Sequence, residues 1–364
     1  MSRGWRPPPL IPAVGRIPSR KLLSPLSRGP PVLPDSVFRR SAVASGLISP
    51  HDLEEAVAAV RADGQPGQTD DDKLAEHFIA ARRLNPWQVG QLRAGRTTFK
   101  LGPYWILDSL GKGRTGDVYK AEHSVMGRVV AIKVLPKRRS SPQAIAHFMN
   151  EIRNQAQLDH KHLVRAYDAG HDRNVHFLVM EYVPGTDLRR LVRQHGKLDM
   201  ETAADFIVQA AEGLAYAHAR GLTHRDVKPS NLLITEQRQV KLSDLGLASL
   251  FNKAEPIGDQ GGFTTGSIDY LAPELIGSPD RPTPLSDVYA LGCTLYYAVT
   301  GKVPFPGGTP LDKAQAHRTR LPRHPRLLNP TLSDAFVEVI ADMMAKKPQE
   351  RVAGAEEAIA RLTR

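Results

Sequence analysis

Across 364 residues the chain carries one cysteine, Cys293. A lone thiol can neither close an internal disulfide nor build a structural zinc cluster, so a reducing, cytoplasmic compartment is expected. The sequence has no run of about 18 apolar residues, so no membrane-spanning helix is expected. Aromatic residues make up 6% of the chain, few for a surface that stacks nucleic-acid bases. Acids are missing from residues 1–34, which hold Arg3, Arg6, Arg16, Arg20, Lys21 and Arg28. That stretch carries six of the net +11 charges, so the basic excess belongs largely to a tail. No specific nucleic-acid partner is expected.

What is present begins with proline. Residues 1–34 contain nine, including Pro7-Pro8-Pro9 and Pro30-Pro31. Proline fixes φ and removes a backbone donor, so this density blocks helix and sheet alike. An extended, disordered basic tail is expected. It could be simply solvated, a tether for an anionic surface, a ligand for proline-motif readers, or the product of a mis-assigned upstream start codon. A helical transit peptide is excluded by the same prolines.

From residue 35 to 97 the prolines thin out and a 3.6-residue apolar period appears. Ser49-Pro50-His51-Asp52 reads as a helix start, with Leu53, Ala56, Val57 and Val60 on one face. Asp63 to Gly67 breaks it. Thr69 to Asp72 starts a third helix with Leu74, Phe78 and Ile79 inward. Asn85-Pro86-Trp87-Gln88 starts a fourth with Val89 and Leu92 inward, and Gly95 stops it. The second and fourth starts match at a spacing of 36 residues: Ile48 with Leu84, Ser49 with Asn85, Pro50 with Pro86, Leu53 with Val89. Either a degenerate repeat of two helical hairpins or two independently capped helices gives this pattern. Both readings give a small all-α module without a catalytic constellation, suited to docking or self-association.

The next stretch changes period again. Gly111, Gly113 and Gly116 let a backbone fold closely over phosphates. A dinucleotide-binding fingerprint would run on into a helix, but Val118-Tyr119-Lys120-Ala121 is strand-like. Lys133 stands in the apolar strand Val130–Val134, where an unpaired ammonium is costly. Glu151 follows on an amphipathic helix and could pair with it. The densest set is His224-Arg225-Asp226-Val227-Lys228-Pro229-Ser230-Asn231. Asp226 can accept a proton from a hydroxyl, Lys228 can neutralise a phosphoryl in transfer, and Asn231 offers a hard oxygen to Mg²⁺.

These stretches, in this order, resemble the bacterial Hanks-type Ser/Thr protein kinases, and residues 35–97 are similar to the helical segment that precedes the kinase domain in some of them, especially of the planctomycete type. The resemblance implies an α+β, two-lobed protein kinase fold over 104–358, with a β-rich lobe and a helical lobe. It implies ATP and Mg²⁺ as cofactors, with Mn²⁺ as an alternative metal, and protein substrates. Lys133 and Glu151 would pair, and Asp226 and Lys228 would be catalytic. Asn231 and Asp244, in Asp244-Leu245-Gly246, would hold the metal. Leu110, Gly111, Lys112, Gly113, Arg114, Thr115, Gly116, Asp117, Val118, Ala131 and Leu233 would surround the nucleotide. Met180 would be the gatekeeper, the backbones of Glu181 and Val183 would meet the base edge, and Asp187 the ribose. Ser267 would touch the catalytic aspartate, Glu274 would pair with Arg351, and Asp287 would brace the catalytic loop. Gln155, one turn after Glu151, stands where kinases usually place an apolar residue.

Arg225, before the catalytic aspartate, implies an anion on the activation segment. Asp259 could supply part of it, with Thr264 or Thr265 tuning activity, or Asp259 could be a solvated loop residue. The expected function is phosphorylation of Ser/Thr hydroxyls with autophosphorylation, the alternative a pseudokinase scaffold acting through the helical module. Ser230 occupies a position that is acidic in kinases preferring basic substrates, so no such preference is expected. With the chain ending soon after Arg351, no C-terminal sensor domain is expected.

Overall fold

The computed structural model describes residues 36–62, 70–113, 116–135, 142–246, 267–278 and 281–364. The tail expected over 1–34, the helix break over 63–67 and the start at Thr69 lie outside them. The chain forms two compact units, Met1–Lys112 with Val118–Ile132, and Gly113–Asp117 with Lys133–Arg364.

The first unit opens with four helices: α1 (Val37–Ala44), α2 (Pro50–Ala62), α3 (Asp70–Ala80) and α4 (Pro86–Arg93). The caps sit where the sequence puts them. Ser49 Oγ accepts from the Asp52 N–H at 3.1 Å and donates to the Asp52 carboxylate at 2.7 Å. Asn85 accepts from the Gln88 N–H at 2.8 Å, and Gln88 Oε1 accepts from the Asn85 N–H at 3.0 Å. Such caps satisfy donors that a helix leaves open at its start. Helix α1 packs on α4, and α2 on α3. The repeat partners Ile48 and Leu84, and Leu53 and Val89, are all buried. Leu92 is wholly buried, and truncating such a leucine typically costs ~2–5 kcal/mol.

The same unit continues into β1 (Lys100–Leu101), β2 (Tyr104–Gly111), β3 (Asp117–His123) and β4 (Val129–Val134), neighbours in that order. Phe99 is buried among the helices' side chains, and Trp105 packs on that cluster. The module and the first strands therefore share one core, where the sequence suggested a separate module ending near residue 97.

In the second unit the end of β4 is followed by β6 (Val175–Glu181) and then β5 (Ala166–Asp172). Helix α5 (Pro142–Ala156) carries Glu151. Then come β7 (Thr186–Asp187), α6 (Leu188–His195) and α7 (Met200–His218), the last capped by Asp199 on the Thr202 N–H at 2.7 Å. Strands β8 (Leu232–Ile234) and β9 (Val240–Leu242) form the expected hairpin, with Leu232 opposite Leu242. Helix α8 (Pro284–Thr300) is buried from Ser286 onward and stops at Gly301, which takes the left-handed φ of +70°. Helices α9 (Pro310–Thr319), α10 (Asp334–Met343) and α11 (Ala355–Leu362) complete the unit. After the four opening helices the elements run from strand-rich to helical, the order the resemblance implies.

Candidate active site

Helix α7 delivers the chain to the catalytic loop, and α8 holds that loop from below. Asp287 Oδ2 accepts from the His224 N–H at 2.7 Å and Oδ1 from the Arg225 N–H at 2.8 Å. His218 Nε2 meets the same carboxylate at 2.8 Å. The brace has a reason. Arg225 has φ +69°, a left-handed conformation that costs a residue with a Cβ about 1–2 kcal/mol. Two bonds to one buried carboxylate hold it there. His224 is fully buried, with Nε2 2.9 Å from the Ser243 carbonyl. Burial keeps its pKa below the ordinary histidine value.

Above this brace four side chains converge. Lys228 Nζ lies 2.5 Å from Asp226 Oδ2 and donates to Ser267 Oγ at 3.0 Å. Ser267 Oγ in turn donates to Asp226 Oδ1 at 2.8 Å. Asn231 Nδ2 donates to the Asp226 carbonyl at 2.8 Å and to Oδ2 at 3.2 Å. The Asn231 nitrogen is thus committed to Asp226, which leaves its oxygen as the donor to a cation. Asp244 has φ +66°. Burial works to raise its pKa, but the Lys133 ammonium beside it pulls it below the usual carboxylate range. An amide oxygen and an ionised carboxylate suit a hard divalent cation.

The expected Lys133–Glu151 pair is not the one formed. Lys133 Nζ, almost fully buried, lies 2.8 Å from Asp244 Oδ1. Glu151 Oε1 faces Arg225 Nη1 at 3.6 Å. A Cβ on Gly246 would stand 2.7 Å from Glu151 Oε2, so this carboxylate sits hard against the Asp244-Leu245-Gly246 turn. The reason is electrostatic. The Asp244 carboxylate is at hand to compensate the buried ammonium, and the Arg225 guanidinium takes Glu151. Gly116, at the end of the glycine stretch, has φ +124°, and a Cβ there would meet the Val134 carbonyl oxygen at 2.2 Å. Only glycine fits.

Residues 104–361 match the protein kinase domain family. The chain belongs to the protein kinase family. It is 34% identical over 263 residues to the probable serine/threonine-protein kinase CA_C1728 of Clostridium acetobutylicum, covering 71% of this chain and 39% of that one. It is 38% identical over 256 residues to serine/threonine-protein kinase PknA of Mycobacterium tuberculosis, covering 69% and 58%. With PrkC of Bacillus subtilis it shares 32% over 257 residues, covering 70% and 39%. The chain therefore spans between about two fifths and three fifths of the length of these relatives. The crystal structure of the Mycobacterium tuberculosis PknI kinase domain matches the fold with a TM-score of 0.57 at 24% identity, covering 72% of this chain and 96% of that one.

Kinases use ATP and a divalent metal, and the remaining expected residues can be placed on that basis. Met180 is buried in β6. The Glu181 N–H donates to the Arg165 carbonyl at 2.9 Å, and its carboxylate pairs with Lys241 at 3.0 Å. Asp187 stands opposite Leu233 across β7 and β8. It also caps α6, accepting from the Arg190 N–H at 2.9 Å, a structural role the sequence reading missed. Burial raises its pKa.

Leu110 and Gly111 close β2, and Lys112 beyond them is exposed. Asp117 and Val118 open β3, Ala131 is buried in β4, and Val183 follows β6 half-buried. Arg114, Thr115, Asp259, Thr264 and Thr265 lie outside the described residues. Arg351 grips Glu274 with two bonds of 2.7 Å, as expected. His218 behind Asp287 had no sequence signal, because nothing in its spacing marks it. Gln155 did. It is buried, and its Oε1 has no hydrogen-bond partner among the described residues.

Proposed function

We propose that this chain transfers the γ-phosphoryl group of ATP to serine and threonine hydroxyls of protein substrates, itself included. The observation that carries this reading is the convergence of Lys228, Ser267 and Asn231 on the two oxygens of Asp226. Asp226 Oδ1 takes the proton as the substrate oxygen attacks phosphorus and the bond to the ADP oxygen breaks. Lys228 balances the charge that spreads over the phosphoryl oxygens. Mg²⁺, held by Asn231 and Asp244, would neutralise the phosphates and hold them in line; Mn²⁺ suits the same oxygen donors. The Lys-Pro-Ser-Asn ending of the catalytic loop and the bond from Ser267 to Asp226 support Ser/Thr over Tyr as acceptor.

Incubation with labelled ATP, Mg²⁺ and a generic basic protein tests this. Asp226→Ala should lower transfer by about 10²–10⁴-fold. Equal, background-level labelling by both proteins, with nucleotide still bound, would establish the pseudokinase scaffold instead. On the activation segment, Asp259 supplies part of the anion for Arg225 and Thr264 or Thr265 tunes it. If Asp259→Asn changes nothing while Thr264→Ala abolishes transfer, Asp259 has no such role.

A cytoplasmic location is supported by the single, buried Cys293. Among the described residues no helix is long and apolar enough to cross a membrane. Docking or self-association through residues 35–97 would use the outer faces of the helices, because Phe38, Ile48, Leu74 and Phe78 fill an internal core.

A further inference from the structure

Asn85 makes bonds in two directions. Its side-chain oxygen caps α4, and its amide nitrogen donates to the Leu107 carbonyl of β2 at 2.6 Å. Leu107 stands at a break in the ladder, where Ile106 pairs with Ala121 and Asp108 with Lys120, so nothing lies opposite it. A bulged residue of this kind is left outside the strand pairing, and Asn85 gives its carbonyl a partner. The repeat partner Ser49 has no amide and turns its hydroxyl to its own Asp52. The two halves of the module thus differ at the residue that reaches the sheet.

Trp87, two residues on, meets Phe99 edge to face at 6.0 Å and Tyr119 of β3 at 6.1 Å. Tyr119 pairs with Ser109, and the next pair outward is Gly111 with Val118. Helix α4 therefore holds both β2 and β3 just before they enter and leave the glycine hairpin. Glycines lose more backbone freedom on ordering than any other residue. A hairpin fixed at its base loses less when a nucleotide orders it, and affinity rises accordingly.

We propose that α4 is a built-in brace for the glycine hairpin, with Asn85 and Trp87 as positioning residues for nucleotide binding. The helical module then acts on phosphoryl transfer from within its own chain. This rests on the reading of residues 111–116 as the phosphate hairpin.

The test uses the full chain. Asn85→Ser keeps a helix cap but loses the donor to Leu107; Trp87→Leu keeps apolar bulk but loses the ring contacts. Each should raise the KM and Kd for Mg-ATP by about 3–10-fold with kcat within about twofold, because preorganisation acts on binding. Amides of residues 109–119 should exchange faster in both variants. Gly116→Ala serves as the control within the hairpin. If Gly116→Ala weakens nucleotide binding and the other two do not, the brace is wrong. If Gly116→Ala also leaves binding unchanged, the hairpin reading itself fails and the brace with it. If activity falls only in step with the folded fraction, with KM unchanged, the two residues are merely structural and the proposal is overturned.

Discussion

The guanidinium of Arg225 lies 3.6 Å from the carboxylate of Glu151, while Lys133 holds Asp244 at 2.8 Å. Two cations and two acids are paired crosswise to the arrangement phosphoryl transfer needs. With Lys133 on Asp244, a carboxylate expected to meet the metal is partly occupied. With Arg225 on Glu151, the acid expected to orient Lys133 is turned away. The Arg225 side chain is about one-third exposed and its contact is long, so that pair contributes little to stability and can be exchanged at low cost. A phosphate of charge about −2 competes for an arginine better than one carboxylate does. Phosphorylation within 247–266 would draw Arg225 away from Glu151.

A direct consequence concerns Arg225→Gln. With the competitor for Glu151 removed, activity should no longer depend on the anion. The ratio of kcat after autophosphorylation to kcat after phosphatase treatment should fall from several-fold towards one, given couplings of about 5–150-fold for typical two-state switches. An unchanged ratio would show that Arg225 does not carry the signal.

Ser267 supports a second expectation. Its hydroxyl spans Asp226 Oδ1 and Lys228 Nζ, so it fixes the angle at which the acid meets a substrate hydroxyl. Ser267→Ala should lower kcat by roughly 10-fold or more, since small misplacements at a reacting centre are costly. The KM for ATP should hold, and Ser267→Thr should restore most of the rate. Steady-state kinetics of the three proteins decide it.

Much of this site is legible from residue order, and the reason is physical. Asp226, Lys228 and Asn231 are close in sequence, so their chemistry shows in one loop. Asp287 and Glu274–Arg351 are distant, and only the kinase resemblance links them before the structure does. Helix caps at Ser49 and Asn85 are local and were readable. Partner choice was not. Lys133 had two acids within plausible reach, and sequence cannot rank Glu151 against Asp244. Nor could it show that Asn85 turns its amide to a strand bulge, because bulges depend on cross-strand register.

Gln155 offers a gain in stability. It is 2% exposed, and its amide oxygen has no hydrogen-bond partner among the described residues. Leaving such an oxygen buried and unmatched costs about 1–3 kcal/mol. Leucine has nearly the same bulk and no polar atom. Gln155→Leu should stabilise the folded protein by ~1 kcal/mol and move the urea midpoint upward at constant m-value. Far-UV circular dichroism in urea reads both. A lower midpoint would mean that the amide has a partner that matters.

The pH dependence of stability turns on His317. Its ring is wholly buried in α9, with Nδ1 2.9 Å from the Tyr289 hydroxyl and Phe305 edge-on at 4.7 Å. Burial first, then the nearby Lys346 charge, pushes its pKa down from 6.5 to about 3. The unfolded chain therefore takes up a proton below 6.5 that the folded chain refuses until about 3. Folding stability from this group is complete above 6.5 and is lost as pH falls below it. Between about pH 7 and about pH 5 the loss is roughly 2 kcal/mol. His224, also buried and lowered, adds to the same trend. His317→Gln keeps an acceptor for Tyr289 but cannot titrate. Its stability should fall less steeply with acid, by about 1.4 kcal/mol per pH unit between about pH 6 and about pH 5. Urea unfolding of both proteins at three pH values measures the difference. Coincident slopes would show that His317 takes up its proton in the folded state as readily as in the unfolded chain.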